Sequence, residues 1–138
     1  MTIQPGGDTL SFAADFFDRH LPSLIDQPLL AGYEGYDMAC EIHFQDVGKR
    51  WRVDIENGRI RGVRALTADD PSPRVLFVVD EAVFRDIISG RLSPQKAFFT
   101  RRTNIKGDFF QGMKLAKLLG LFFDRFPYRE EEREGVKA

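Results

Sequence analysis

The chain has 138 residues and 15.8 kDa, 43% of them hydrophobic and 30% charged, with a net charge of −1. A chain of that length makes one domain and buries roughly two-thirds of its unfolded surface without staples. The charge excludes a nucleic-acid surface, which needs clustered Lys and Arg to displace counterions.

The single cysteine, Cys40, rules out an internal disulfide, and thirteen phenylalanines against one Trp and three Tyr are the unusual feature. The opening MTIQPGGDTL has neither a basic region nor an apolar run, and no stretch reaches the roughly 18 apolar residues of a membrane span. The expectation is a soluble, cytoplasmic protein.

Residues 1–8, with Pro5-Gly6-Gly7, are expected to form a flexible leader. A helix follows. Asp8 or Thr9 can cap its first turn, and Phe12, Phe16, Phe17, Leu21 and Leu24 recur at helical spacing, with Pro22 and Pro28 at its far end. In YDMACEIHFQ, Tyr36, Met38, Cys40, Ile42 and Phe44 share one face and Asp37, Glu41, His43 and Gln45 the other, as in a strand covered on one side. Trp51, Val53 and Ile55 repeat the alternation after a turn near 46–49. Asn57-Gly58 signals a two-residue hairpin, and RIRGVRAL returns as a third strand whose alternation slips at Gly62, the mark of a bulge.

RVLFVVD is apolar on both faces, as expected of a central strand buried on both sides. Asp80 then caps a helix whose Val83, Phe84, Ile87 and Ile88 face inward and which Gly90 ends. Ser93-Pro94 starts a second short helix, and TNIK, around 103–106, reads as a fifth strand. Asp108 opens the last helix. Leu115, Leu118, Leu119, Phe122 and Phe126 form its apolar stripe; Phe109, Met113, Ala116 and Phe123 widen it, and Phe110 and Leu121 lie further round. From Arg129 onward the charged REEEREGVKA, residues 129–138, is expected to fray into solvent as a flexible tail. The order is helix, three hairpin-linked strands, a crossing to a central strand, two helices, a strand and a helix. That is a two-layer α+β domain over residues 9–128.

Candidate chemistry is sparse. His20 and His43 lie on different elements, so the three or four ligands of a metal site do not assemble. Cys40 sits on an apolar strand face, where a small buried thiol is the common case. There is no G-x-S-x-G and no phosphate-cradling glycine loop. The acid pairs Asp69-Asp70, Asp80-Glu81 and the run Glu130 to Glu132 fall in a Pro-rich loop, at a helix start and in the tail. No catalytic group stands out and no cofactor is implied, so the expectation is a protein that is not an enzyme.

Arg101-Arg102 has two readings. The pair ends a short helix and meets its partially negative C-terminus, or one guanidinium neutralises an acidic ligand head at a pocket mouth. Three phenylalanine pairs, Phe98-Phe99, Phe109-Phe110 and Phe122-Phe123, pose a packing problem. Adjacent helical residues point about 100° apart, so both members are hard to bury in one layer. The surplus calls for cover: a bound lipid, a partner such as a second copy or a lipid-handling enzyme, or peripheral contact with a membrane.

The segment from Asp80 to Leu119, DEAVFRDIISGRLSPQKAFFTRRTNIKGDFFQGMKLAKLL, resembles the signature half of the sterol carrier protein-2 family of non-specific lipid-transfer proteins. The shared features are the acidic helix start Asp80-Glu81, Ser89-Gly90, Pro94, Ala97-Phe98, a basic strand through Ile105, and Lys106-Gly107-Asp108 before an amphipathic helix. Residues 9–79 match only in element order.

The resemblance implies a five-stranded mixed sheet covered on one face by helices, with an apolar tunnel between them for fatty-acyl, prenyl or sterol-like ligands, and no catalysis. By position, the implied tunnel wall is Phe84, Ile87, Ile88, Phe98, Phe99, Ile105, Phe109, Met113 and Phe122, with Arg101 and Arg102 as head-group candidates. FFTRR followed by KGD is most similar to a bacterial branch of accessory factors in isoprenoid-quinone (ubiquinone) synthesis. That branch usually continues with Thr-Glu-Leu-Gly-Leu, where this chain has Phe109-Phe110-Gln111-Gly112-Met113.

Overall fold

The computed structural model describes residues 12–29 and 31–128. The expected leader, the Asp8 or Thr9 cap and the tail from Arg129 lie outside the described residues.

Helix α1 (Phe12–Asp15) widens into a π turn, Phe16–His20, and then tightens into a 3-10 turn, Leu21–Leu24. Pro22 accounts for the change, because it has no amide to give the carbonyl four residues back. The Leu21 N–H instead closes a wider ring to the Phe16 carbonyl. Both Phe16 and Phe17 point inward, their rings edge to face at 5.0 Å. Phe17 stacks on Trp51 at 4.9 Å and on Phe84 at 5.5 Å, tying this segment to sheet and helix at once.

Strands β1 (Met38–Phe44), β2 (Lys49–Glu56), β3 (Arg59–Leu66), β4 (Val75–Val79) and β5 (Thr103–Gly107) form one sheet in the order β3-β2-β1-β4-β5. β1 and β4 run parallel and the other neighbours antiparallel, so the sheet is mixed. Asn57 and Gly58 both take positive φ, 55° and 72°, as the two-residue turn demands. The β2–β3 register shifts between Asp54 and Ile55, leaving Arg61 as the extra residue beside Gly62, so the expected bulge is present.

Helices α2 (Glu81–Ile88), α3 (Pro94–Phe99) and α4 (Phe109–Arg125) cover one face of the sheet together with α1. Ser93 and Asp108 cap α3 and α4 by accepting from the amides of Lys96 and Gln111. At α2 the expectation needs correction. Asp80 holds the N-cap position without a side-chain bond to the helix, and the Glu81 N–H donates instead to Asp46, in the β1–β2 turn.

Two further expectations change. β4 lies inside the sheet, but only Val75, Phe77 and Val79 are buried, while Leu76 and Val78 stay half-exposed on the helix-free face. Glu41, assigned to a polar face, is 1% exposed. A parallel pair requires a crossing connection, and residues 67–74 supply it over the helix-free face. Arg50 donates to the carbonyls of Thr67 and Asp70 and to Glu41, and the Ser72 hydroxyl also donates to Glu41, so the crossing closes over that carboxylate. No helix among the described residues is long and apolar enough to cross a membrane.

Candidate ligand-binding site

Alternation places Ile42 of β1, Phe77 of β4 and Ile105 of β5 in one register row on the helix-covered face. With Val79 and Thr103 from the next row they floor a cavity of about 50 Å³. Phe84 and Ile87 of α2 and Ala116, Leu119 and Phe123 of α4 roof it, and Pro94 closes one side. A buried water needs about 10–15 Å³ on this scale, so the space takes a few waters or a short stretch of acyl chain. Its walls are almost wholly apolar, which suits the second occupant.

A larger groove of about 520 Å³ opens beside it, lined by Gln45, Val78, Phe98, Phe99, Arg101, Arg102, Thr103 and Asn104. Thr103 belongs to both walls, so the groove and the inner cavity share a rim. The half-exposed Val78 is where the two-sided apolar pattern of β4 is used.

Arg101 closes α3 in the left-handed region at φ 64°, with its N–H donating to the Phe98 carbonyl and that of Arg102 to the Ala97 carbonyl. This double closure commonly carries glycine at the left-handed position. Neither guanidinium pairs with a carboxylate among the described residues.

The residues singled out from the sequence fall into three places. Phe84, Ile87 and Ile105 line the cavity, and Phe98, Phe99, Arg101 and Arg102 line the groove. Ile88 and Phe122 are fully buried in the core, Phe122 against Phe126 at 5.0 Å, and Met113 is half-buried against the core. Phe109 stands 45% exposed at the outer end of the groove's aromatic wall, 5.4 Å from Phe98.

Sequence reasoning missed Ile42, Phe77, Val79, Thr103, Ala116, Leu119 and Phe123. The alternation of β1 and β4 and the stripe on α4 marked most of them as inward-facing. Cys40 is buried and its thiol is pushed up to about 12, first by burial and then by the neighbouring Asp54 carboxylate, so it is protonated at neutral pH. Tyr128, considered for an exposed interface, is instead 5% exposed and donates its hydroxyl to Asp15.

A mixed five-stranded sheet with helices on one face is the α+β fold of the sterol carrier proteins. The chain belongs to the SCP-2 sterol transfer family, whose model matches residues 19–120. Over 76 residues it is 29% identical to peroxisomal multifunctional enzyme type 2 of Mus musculus, covering 53% of this chain. The chain spans only 10% of that protein's length. The crystal structure of sterol carrier protein 2 superposes with a TM-score of 0.62 at 14% identity, covering 82% of this chain and 95% of the other. The UbiJ-SCP2 ubiquinone synthesis protein superposes at 0.56 with 9% identity, covering 88% and 98%. At these identities the two structures speak for the fold alone.

Proposed function

We propose that residues 9–128 form one cytoplasmic, non-catalytic carrier for a lipid with a long apolar tail and an acidic head. The observation that carries this reading is the shared rim at Thr103, which joins an apolar cavity to a groove bearing Arg101 and Arg102. The tail enters between β1, β4 and β5 below and α2 and α4 above, and the head stays at the two guanidinium groups. Each methylene removed from water contributes roughly 0.8 kcal/mol, so apolar walls suffice for affinity once α4 yields enough room. Family membership supports the lipid class.

Native mass spectrometry of protein purified without detergent, before and after organic extraction, tests the proposal. A mass that falls on extraction is the expected result. Identical masses, together with no binding of a fluorescent fatty acid, would remove the carrier reading.

A second reading, presentation of a prenylated quinone intermediate to enzymes, draws on the Phe98-to-Arg102 resemblance and the fold shared with a ubiquinone synthesis protein. Unchanged quinone content in a strain lacking the protein would count against it.

A further inference from the structure

We infer that the outer rim of the groove docks the protein onto the surface of an anionic lipid bilayer. Four rings form an unbroken ladder: Phe99 to Phe98 at 5.4 Å, Phe98 to Phe109 at 5.4 Å, and Phe109 to Phe110 at 6.5 Å. Phe98 is half-buried, but Phe99, Phe109 and Phe110 are 71%, 45% and 84% exposed. Single exposed apolar residues are ordinary, whereas a contiguous aromatic patch marks an interaction surface. The ladder runs from the end of α3 to the first turn of α4, and β5, a sheet edge, connects those two elements.

Charge decides the occupant. Residues 91–110 carry five basic side chains and one acidic, in a chain whose net charge is −1. The acidic one, Asp108, is engaged as the α4 cap and by Arg74, and Arg91 pairs with Asp86. Lys96, Arg101, Arg102 and Lys106 are exposed and pair with no carboxylate among the described residues. Aromatic rings settle at the headgroup level of a bilayer, and lysine or arginine beside them meets anionic headgroups. A second copy docking through the same patch would set these cations against their own equivalents, because a two-fold interface pairs a surface with itself. The bilayer satisfies rings and cations together.

This role needs no lipid inside the protein, so it stands apart from the carrier reading. The test uses co-sedimentation of the full chain with vesicles of phosphatidylcholine, alone or mixed with phosphatidylglycerol. Phe110→Ser and the pair Lys96→Gln/Lys106→Gln lie outside the groove and leave its lining intact. Binding to the mixed vesicles only is expected, falling with added salt and weakening roughly fivefold for each lysine removed. Phe110→Ser should weaken it about tenfold, in line with burial of one aromatic side chain.

Equal binding to both vesicle types, absence of binding, or indifference to Phe110→Ser would overturn the inference. So would a lipid-free dimer in sedimentation velocity that Phe110→Ser disperses, since the patch would then join copies of the chain. Native mass spectra of the same variants report lipid loading separately.

Discussion

Gly112 of α4 lies so close to Ile105 of β5 that a Cβ on the glycine would collide with the isoleucine Cγ2 methyl. Val75 Cγ1 would sit 3.5 Å away on the other side. This contact sets how near α4 approaches the sheet, and Ile105 is also part of the cavity floor. Gly112→Ala therefore carries two opposed effects. Alanine in a helix interior gains roughly 0.5–1 kcal/mol over glycine, and overpacking a tight contact costs roughly 1–3 kcal/mol. The second wins because the obstacle is a β-branched methyl held in a strand. Net destabilisation of about 1–2 kcal/mol is expected in urea unfolding; a stabilised variant would mean that the helix lifts off at little cost.

Arg101 tests the division between stability and binding. Its left-handed backbone suits glycine, so Arg101→Gly should leave stability unchanged or raise it by up to about 1 kcal/mol. The same change removes one cation from the groove and should weaken an acidic amphiphile relative to its neutral ester. Equilibrium unfolding and fluorescent-ligand titration on one sample separate the two outcomes. Loss of stability without loss of discrimination would leave Arg101 as a helix terminator only.

Most of the fold was legible because alternation and capping are local. Met38 to Phe44, Asn57-Gly58, Ser93-Pro94 and Asp108 each announce their structure within a few residues. What stayed hidden depends on segments far apart in the chain. Asp46 reaches Glu81 across the β1–β2 turn, and Glu41 is buried only because residues 67–74 cross over it. The phenylalanine argument divides in the same way. Phe122 and Phe123 are both buried, since α4 packs against the sheet on one side and against Phe16 on another. Phe99, Phe109 and Phe110 remain outside. For the site, β1 and β4 showed which side chains face inward, but not that Thr103 would border two spaces.

The Glu41–Arg50 pair should be costly to break from one side. Glu41 accepts from Arg50 Nη1 at 3.1 Å and from Ser72 Oγ at 2.7 Å, and its second oxygen has no partner among the described residues. Arg50→Ala would leave a buried carboxylate with one neutral donor and also free the 67–70 carbonyls, so a loss of about 3–5 kcal/mol is expected. Combining it with Glu41→Gln should recover a substantial part of that loss. Strictly additive effects in the double-mutant cycle would contradict the coupling.

Acid stability should bear the signature of two carboxylates held below their usual range. Asp108 is lowered by the Gln111 amide and then by Arg74, and Asp70 by the Thr67 amide. A group with a depressed folded pKa stabilises the fold above its unfolded value, and that contribution is lost as pH falls through the folded one. Stability should hold down to about pH 4 and decline below it. Asp108→Asn should make the decline shallower while leaving the amide-capped start of α4 in place. An acid limb identical to that of the parent protein would show that Asp108 is equally free in both states.

Ala116 offers the most direct probe of the interior. It is 5% exposed and its methyl faces the cavity of about 50 Å³. Ala116→Leu sends three more carbons into that space. The transfer gain and the overpacking cost are of similar size, so stability should stay within about 1.5 kcal/mol of the parent. Lipid occupancy should fall sharply, because the added side chain takes the place of the tail's first methylenes. Unfolding curves establish that the variant is folded, and native mass spectrometry counts what it carries. If Ala116→Leu retains as much lipid as the parent chain, the tail does not lie between sheet and helices, and the outer groove alone would have to hold it.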